Sequence, residues 1–188
     1  MRDGSETNAR IRQAALALFV ERGVSAVSVR DIAEAAGVRP STLYVHWPSR
    51  DALVEDLFRT GFAAYARRIE AAADGDAPLP ERLALVVRTV CRLYAEDQLL
   101  FRFLLLTQHI NLASMTNDQD NPIEMLERLV AKAHAAGVTA AFPPKLLTAA
   151  MVGIVVQAAT FHIYGRLKRD PARLEDELTR LCLRTVLP

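Results

Sequence analysis

The chain has 188 residues, enough for one large domain or two small ones with a sizeable core. Half of it is hydrophobic (51%) and a quarter charged (24%), which excludes a disordered chain. Aromatics are only 6% while alanine and leucine abound, so helix is favoured over sheet. Net charge is +1, from 23 basic and 22 acidic residues, so a nucleic-acid partner has to be met by a local patch.

Taken in chain order, the signals repeat: apolar residues at helical spacing, punctuated by caps. Ile11, Ala14, Ala15, Leu18 and Phe19 form one stripe, and Gly23 ends that helix. Ser28 with Asp31 three residues on resembles a capping box opening a short helix, which Gly37 breaks. A second short helix starts near Pro40 or Ser41 and stops before Pro48; Ser49 then caps a long helix through Leu53, Leu57, Phe58 and Tyr65. Residues 74–80, rich in Asp, Gly and Pro, mark the clearest break. Beyond it the spacing predicts helices over 80–96, 98–113, 122–136, 144–167 and 171–187, with a polar loop over 114–121. No period-two run of useful length and no internal repeat are present, so the expected fold is all-α with about nine helices.

Function classes narrow quickly. Met1 to Arg12 is polar throughout, so no secretory signal is read there. The 20 uncharged residues between Lys145 and Arg166 could cross a bilayer by length. Thr148, Gly153, Gln157, Thr160 and His162 interrupt them, so the expectation is a buried helix of a protein or of an oligomer, with no membrane partner. Cys91 and Cys182 cannot build a disulfide framework or a zinc site alone, and two reduced structural thiols fit the cytoplasm. A glycine-rich phosphate loop, a nucleophile elbow and a Cys-x-x-Cys are all missing from the sequence, so no enzyme is expected. His109, His134 and His162 lack a metal-ligand spacing, and neither a metal nor a cofactor is expected. The acidic groups Asp118/Asp120 and Glu175/Asp176/Glu177 read as solvated surface.

The informative stretch runs from Val29 to Trp47, VRDIAEAAGVRPSTLYVHW. Ile32, Ala36, Val38 and Leu43 are spaced to face inward across two short helices, and Ala33 is small where their backbones approach. Gly37 can take the left-handed conformation of a three- or four-residue turn. This is the spacing of a helix-turn-helix, whose second helix fits the DNA major groove and here exposes Arg39, Ser41, Thr42, Tyr44 and His46. The bland alternative is a plain helical hairpin.

The run from Ile11 through Leu57 resembles the N-terminal signature of the TetR (tetracycline-repressor) family. The resemblance rests on Ala14-Ala15, Leu18-Phe19, Gly23, Ser28 to Ala33, Ala36-Gly37-Val38, Thr42-Leu43-Tyr44 and Pro48 to Leu53. Two positions depart from it: Trp47 stands where Phe is usual, read as a core substitution, and Arg50 replaces the commoner Lys. The resemblance implies a three-helix, homeodomain-like head (residues 1–48) and a long connecting helix (49–73). A helical body (74–188) would dimerise and hold a small effector. Carried over by position, Ser28, Thr42, Tyr44 and Arg50 would meet DNA phosphates, while Arg30, Ser41 and His46 would lie at or near base edges. For His46 the alternative is a residue that only braces the recognition helix. Residues 1–70 hold 10 arginines, no lysine and 9 acidic residues, so non-specific affinity should be modest.

The body is less legible. Phe62, Tyr65, Phe101, Leu104, Met125, Leu129, Met151, Val155 and Phe161 are candidates to line a cavity for a hydrophobic or amphipathic effector, though each could simply fill core. Gln108, His109 and His162 are polar groups on apolar faces that need a partner, either a ligand or a backbone carbonyl. Leu174, Leu178 and Leu181 on one face of the last helix, with Ala149, Ala150 and Gly153 on the uncharged helix, suit a four-helix homodimer interface. The expectation is thus a cytoplasmic, homodimeric repressor released from a palindromic double-stranded DNA operator by a small-molecule effector. Its rival is a helical ligand-binding or scaffold protein whose head no longer reads DNA.

Overall fold

The computed structural model describes residues 2–111 and 121–188, the side chains of 2, 3 and 109–111 excepted. Among the described residues every regular element is helical. They are α1 (Arg2–Arg22), α2 (Val29–Ala35), α3 (Pro40–His46), α4 (Arg50–Ala73), α5 (Leu79–Glu96), α6 (Gln98–Asn111), α7 (Pro122–Ala135), α8 (Pro144–Ile163) and α9 (Glu175–Val186). Short 3₁₀ turns occupy Val24–Ala26 and Pro171–Leu174. The all-α class expected from composition and spacing is what the chain adopts. The polar loop expected over 114–121 lies outside the described residues apart from Asn121.

Two helices differ from the sequence expectation, each for a local reason. α8 stops at Ile163 because Gly165 turns left-handed (φ 70°), letting Gly165 N–H donate to His162 O (2.9 Å) and Arg166 N–H to Phe161 O (2.8 Å). The last helix begins only at Glu175, because Asp170 caps a 3₁₀ turn first, its carboxylate accepting from Ala172 N–H at 2.8 Å.

The chain forms two compact units, Met1–Phe62 with Leu99–Asn117, and Ala63–Gln98 with Asp118–Pro188. α4 contributes residues to both. In the first unit, Ile11, Phe19, Ile32 and Phe103 are completely buried, and the Phe19 and Phe103 rings stack with centroids 5.8 Å apart. Each such side chain contributes about 1.5–3 kcal/mol of hydrophobic stabilisation. At Gly61, where α6 meets α4, a Cβ would come within 2.8 Å of Leu100 Cδ1, so the end of that leucine side chain would have to shift. In the second unit, Leu83, Val130, Cys182 and Val186 are completely buried, and the Ala140 N–H donates to Val186 O at 2.8 Å, fastening the end of α9.

α8 is long and apolar enough to cross a membrane, yet within this chain only 28% of its apolar stretch is buried. Leu146, Ala149, Gly153, Gln157, Phe161 and Tyr164, three or four residues apart, form one exposed line along it and just past its end.

Candidate nucleic-acid interface

The head is set by caps and a glycine. Ser28 opens α2 with a complete capping box: its Oγ accepts from Asp31 N–H (3.2 Å), while Asp31 Oδ2 accepts from Ser28 N–H (2.7 Å) and from the Ser28 hydroxyl (2.5 Å). These bonds, the side-chain one foremost, hold the Asp31 carboxyl below its usual range. Gly37 (φ 63°) makes the turn, with Val38 N–H donating back to Ala33 O at 2.9 Å. Pro40 then starts α3, a helix of seven residues with a single buried side chain, Leu43.

That anchor decides which residues face outward. At 3.6 residues per turn, Ser41 and Val45 fall about 160° round the helix from Leu43, one on each side of the outermost line. Their burial agrees: Ser41 is exposed and Val45 is 80% exposed, with Tyr44 (56%) beside them. Arg39 and Arg30 are exposed as well, and Thr42 is half-buried on the flank. Val45 is apolar and so stands outside the hydrogen-bonding types expected on this face. The signal that finds it is its four-residue spacing from Ser41, opposite Leu43.

Three of the expected DNA-facing residues are also engaged within the head. Both donors of Ser28 serve the capping box. Arg50 Nη1 donates to the carbonyls of Val24 (3.3 Å) and Val27 (3.2 Å), while its Nε and Nη2 reach Asp51 Oδ1. His46 is exposed, and its ring lies 5.4 Å from that of Trp47. Trp47 is buried, in keeping with a core substitution, and its indole N–H donates to Asp56 Oδ2 at 2.9 Å.

The expected effector residues divide between the units. The first holds Phe62, Phe101, Leu104 and Gln108, with Phe62 stacked on Phe58 at 5.2 Å; the side chain of His109 lies outside the described residues. In the second, Met125, Leu129, Met151 and Val155 are buried, whereas Phe161 stands on the exposed line of α8. His162 has a backbone partner: Nδ1 bonds to Leu167 O at 2.9 Å, and the ring packs edge-on against Tyr94. Burial, with Asp97 nearby, pushes the Tyr65 hydroxyl well up, so it stays protonated. Burial likewise pushes Cys91 to about 11 and Cys182 to about 12, which keeps both thiols unreactive. Of the expected interface residues, Ala149, Gly153 and Leu181 are exposed, Ala150 and Leu174 are half-exposed, and Leu178 is buried in its own chain.

Two short helices joined at a left-handed glycine, the second anchored by one leucine and exposing polar residues, define a helix-turn-helix protein. Residues 11–57 match the model of the bacterial regulatory proteins, tetR family. The chain is 47% identical over 45 residues to the HTH-type transcriptional repressor KstR2 of Rhodococcus jostii, covering 24% of this chain and 22% of that protein. It is 34% identical over 98 residues to an HTH-type transcriptional regulator of Mycobacterium bovis, covering 50% and 49%. The chain thus spans about half of that curated relative and under a quarter of the first. In fold it is similar to a TetR-family regulator of Marinobacter aquaeolei, with a TM-score of 0.82, 21% identity and coverage of 100% and 99%. Residues 11–57 thus carry a tetR-family segment, and the likeness to solved TetR-family structures shows that the chain shares their all-α fold.

Proposed function

We propose that the chain is a DNA-binding transcriptional repressor that acts as a homodimer on a palindromic operator and is released by a small hydrophobic or amphipathic effector. The observation that carries the reading is the outer line of α3, where Ser41, Tyr44 and Val45 stand exposed opposite the buried Leu43. Arg30 reads a base and Arg39, Thr42 and Tyr44 lie along the backbone. Arg side chains grip guanine through two hydrogen bonds, and hydroxyls suit phosphate oxygens. Ser28 and Arg50 reach phosphate only by sharing groups already bonded within the head. The similarity over 45 residues to a protein named as a repressor supports the sign of regulation. Such a protein works in the cytoplasm, where its operator is.

Dimerisation is the economical cover for the exposed line of α8. Gly153 has nothing within 4 Å of a Cβ, so packing within the chain does not call for glycine there, whereas close approach of a second α8 does. Leu181 on α9 extends the apolar surface. Among the candidate effector contacts, those already buried among apolar neighbours, Met125, Leu129, Met151 and Val155, suit a hydrophobic ligand. α4 carries residues of both units, so it is the element through which ligand binding and DNA binding can act on each other. The effector must bind the DNA-incompetent state more tightly, and the ratio of its two affinities limits the shift.

The test is selection of duplexes from a random-sequence pool by the purified chain. The reading requires enrichment of an inverted repeat. Retention of duplexes without any shared sequence would contradict it and favour a head that no longer reads DNA.

A further inference from the structure

One carboxylate in the head collects more partners than any structural need of its own helix explains. Asp56, on the second turn of α4, accepts from the Trp47 indole N–H at 2.9 Å and from Arg12 Nη1 at 2.6 Å, both on Oδ2. Arg59, one turn along the same helix, reaches its other oxygen at 3.1 Å. Arg12 also donates to the Thr60 hydroxyl, which in turn donates to the Asp56 carbonyl. A single side chain therefore bonds α1 through Arg12 and the exit of α3 through Trp47, and holds both against α4. The site is partly sheltered, with the Arg12 and Asp56 side chains 29% and 23% exposed, so these charge-assisted bonds are stronger than surface pairs.

In this chain the recognition helix gains a second hold. Seven residues with Leu43 as the only buried side chain fix where α3 sits, but one anchor leaves its rotation and tilt about that point loosely set. Trp47, the residue that caps α3, supplies a second anchor. Burial of its ring adds cohesion, and the N–H adds direction, because a hydrogen bond weakens steeply away from linearity. A phenylalanine there would bury a ring without fixing its angle.

We infer that Asp56 is a positioning residue for base reading: through Trp47, with Arg12 holding it from behind, it sets the angle at which α3 presents Ser41 and Val45. The inference rests on the reading of the head as a DNA reader. It assigns Trp47, Asp56 and Arg12 an effect on sequence discrimination, although none of them touches DNA.

The experiment compares affinity for the tightest duplex selected by the wild-type chain with affinity for a scrambled duplex of equal length and salt. Trp47→Phe keeps a buried aromatic ring and removes the N–H together with the five-membered ring that carries it. It should lower the selected-to-scrambled ratio about tenfold, the scale of one hydrogen bond to a charged group. Affinity for the scrambled duplex and the salt slope should not change. Arg12→Gln should act in the same direction. Arg59→Ala removes a partner of the same carboxylate that links no second helix, and should leave the ratio at the wild-type value. Because Trp47 is the only tryptophan, its indole proton resonance reports the bond without DNA: slow exchange in the wild type, faster in Arg12→Gln. A Trp47→Phe chain, folded by circular dichroism, that discriminates as well as the wild type would overturn the inference. A wild-type chain that prefers no duplex overturns the DNA-reading assignment instead, and this inference with it.

Discussion

The Arg50 guanidinium donates to the carbonyl of Val27 at 3.2 Å, across 23 residues of sequence, and so ties the start of α4 to the segment entering α2. The Val24 carbonyl shares the same Nη1. An arginine can hold two carbonyls and a carboxylate together with its planar fork, whereas an ammonium cannot. Arg50→Lys should therefore cost about 1 kcal/mol in urea unfolding while keeping the charge. If Arg50 also grips phosphate, Arg50→Ala lowers affinity for all duplexes alike and flattens the salt slope, and Arg50→Lys restores the slope but not the stability.

Reading and gripping should separate among the exposed residues. Arg30→Ala should relax sequence preference by about 1–3 kcal/mol, the discrimination carried by a bidentate arginine–base pair. Tyr44→Phe should weaken binding to every duplex similarly. Competition titrations with matched and scrambled duplexes at two salt concentrations check both.

Val45, 80% exposed on the outermost line of α3, is suited to the methyl group of a thymine. Replacing single thymines of the selected duplex by deoxyuridine should locate one position where wild-type affinity falls about threefold or more, on the scale of one buried methyl group. For Val45→Ala the same replacement should cost nothing. Equal costs in both proteins would remove Val45 from base reading.

Several of these relationships were legible in the sequence and others were not, for physical reasons. The Ser28–Asp31 box, the Gly37 turn and the Ser49 cap involve residues within a few positions of each other, so spacing alone predicts them. The Asp56 cluster joins positions 9 and 44 residues apart, which no local pattern encodes. Leu178 and Leu181 lie three residues apart on nearly the same helical face. Packing within the second unit covers Leu178 and leaves Leu181 half-exposed, a distinction that periodicity cannot make. For His162 the sequence leaves a ligand and a backbone carbonyl both open, and the turn after α8 supplies the carbonyl of Leu167.

That difference sets the dimer test. Leu178→Glu would unfold the second unit, whereas Leu181→Glu and Gly153→Leu should leave the fold intact by circular dichroism. Both should weaken self-association about tenfold or more, because a charge or a bulky group would enter an apolar contact. Unchanged sedimentation of both variants would move the interface elsewhere.

Acid sensitivity of the head should follow Asp31. Its folded-state value lies below the ordinary 3.8, held there by Ser28, so the stabilisation is fully present above that value and is lost as pH falls through the folded one. In urea titrations between neutral pH and strong acid, Asp31→Asn should remove that part of the pH dependence. An identical acid profile for the variant would show that the capping box does not govern it.

The most direct test of a dimeric reader is sedimentation velocity of the chain with its selected duplex, before and after one half-site is scrambled. Two half-sites about 34–36 Å apart, one turn of DNA, or a multiple of it, can engage both recognition helices of one dimer. The account predicts an even number of chains per intact duplex and a large loss of affinity when either half-site is scrambled. One chain per duplex, with affinity indifferent to the second half-site, would contradict it.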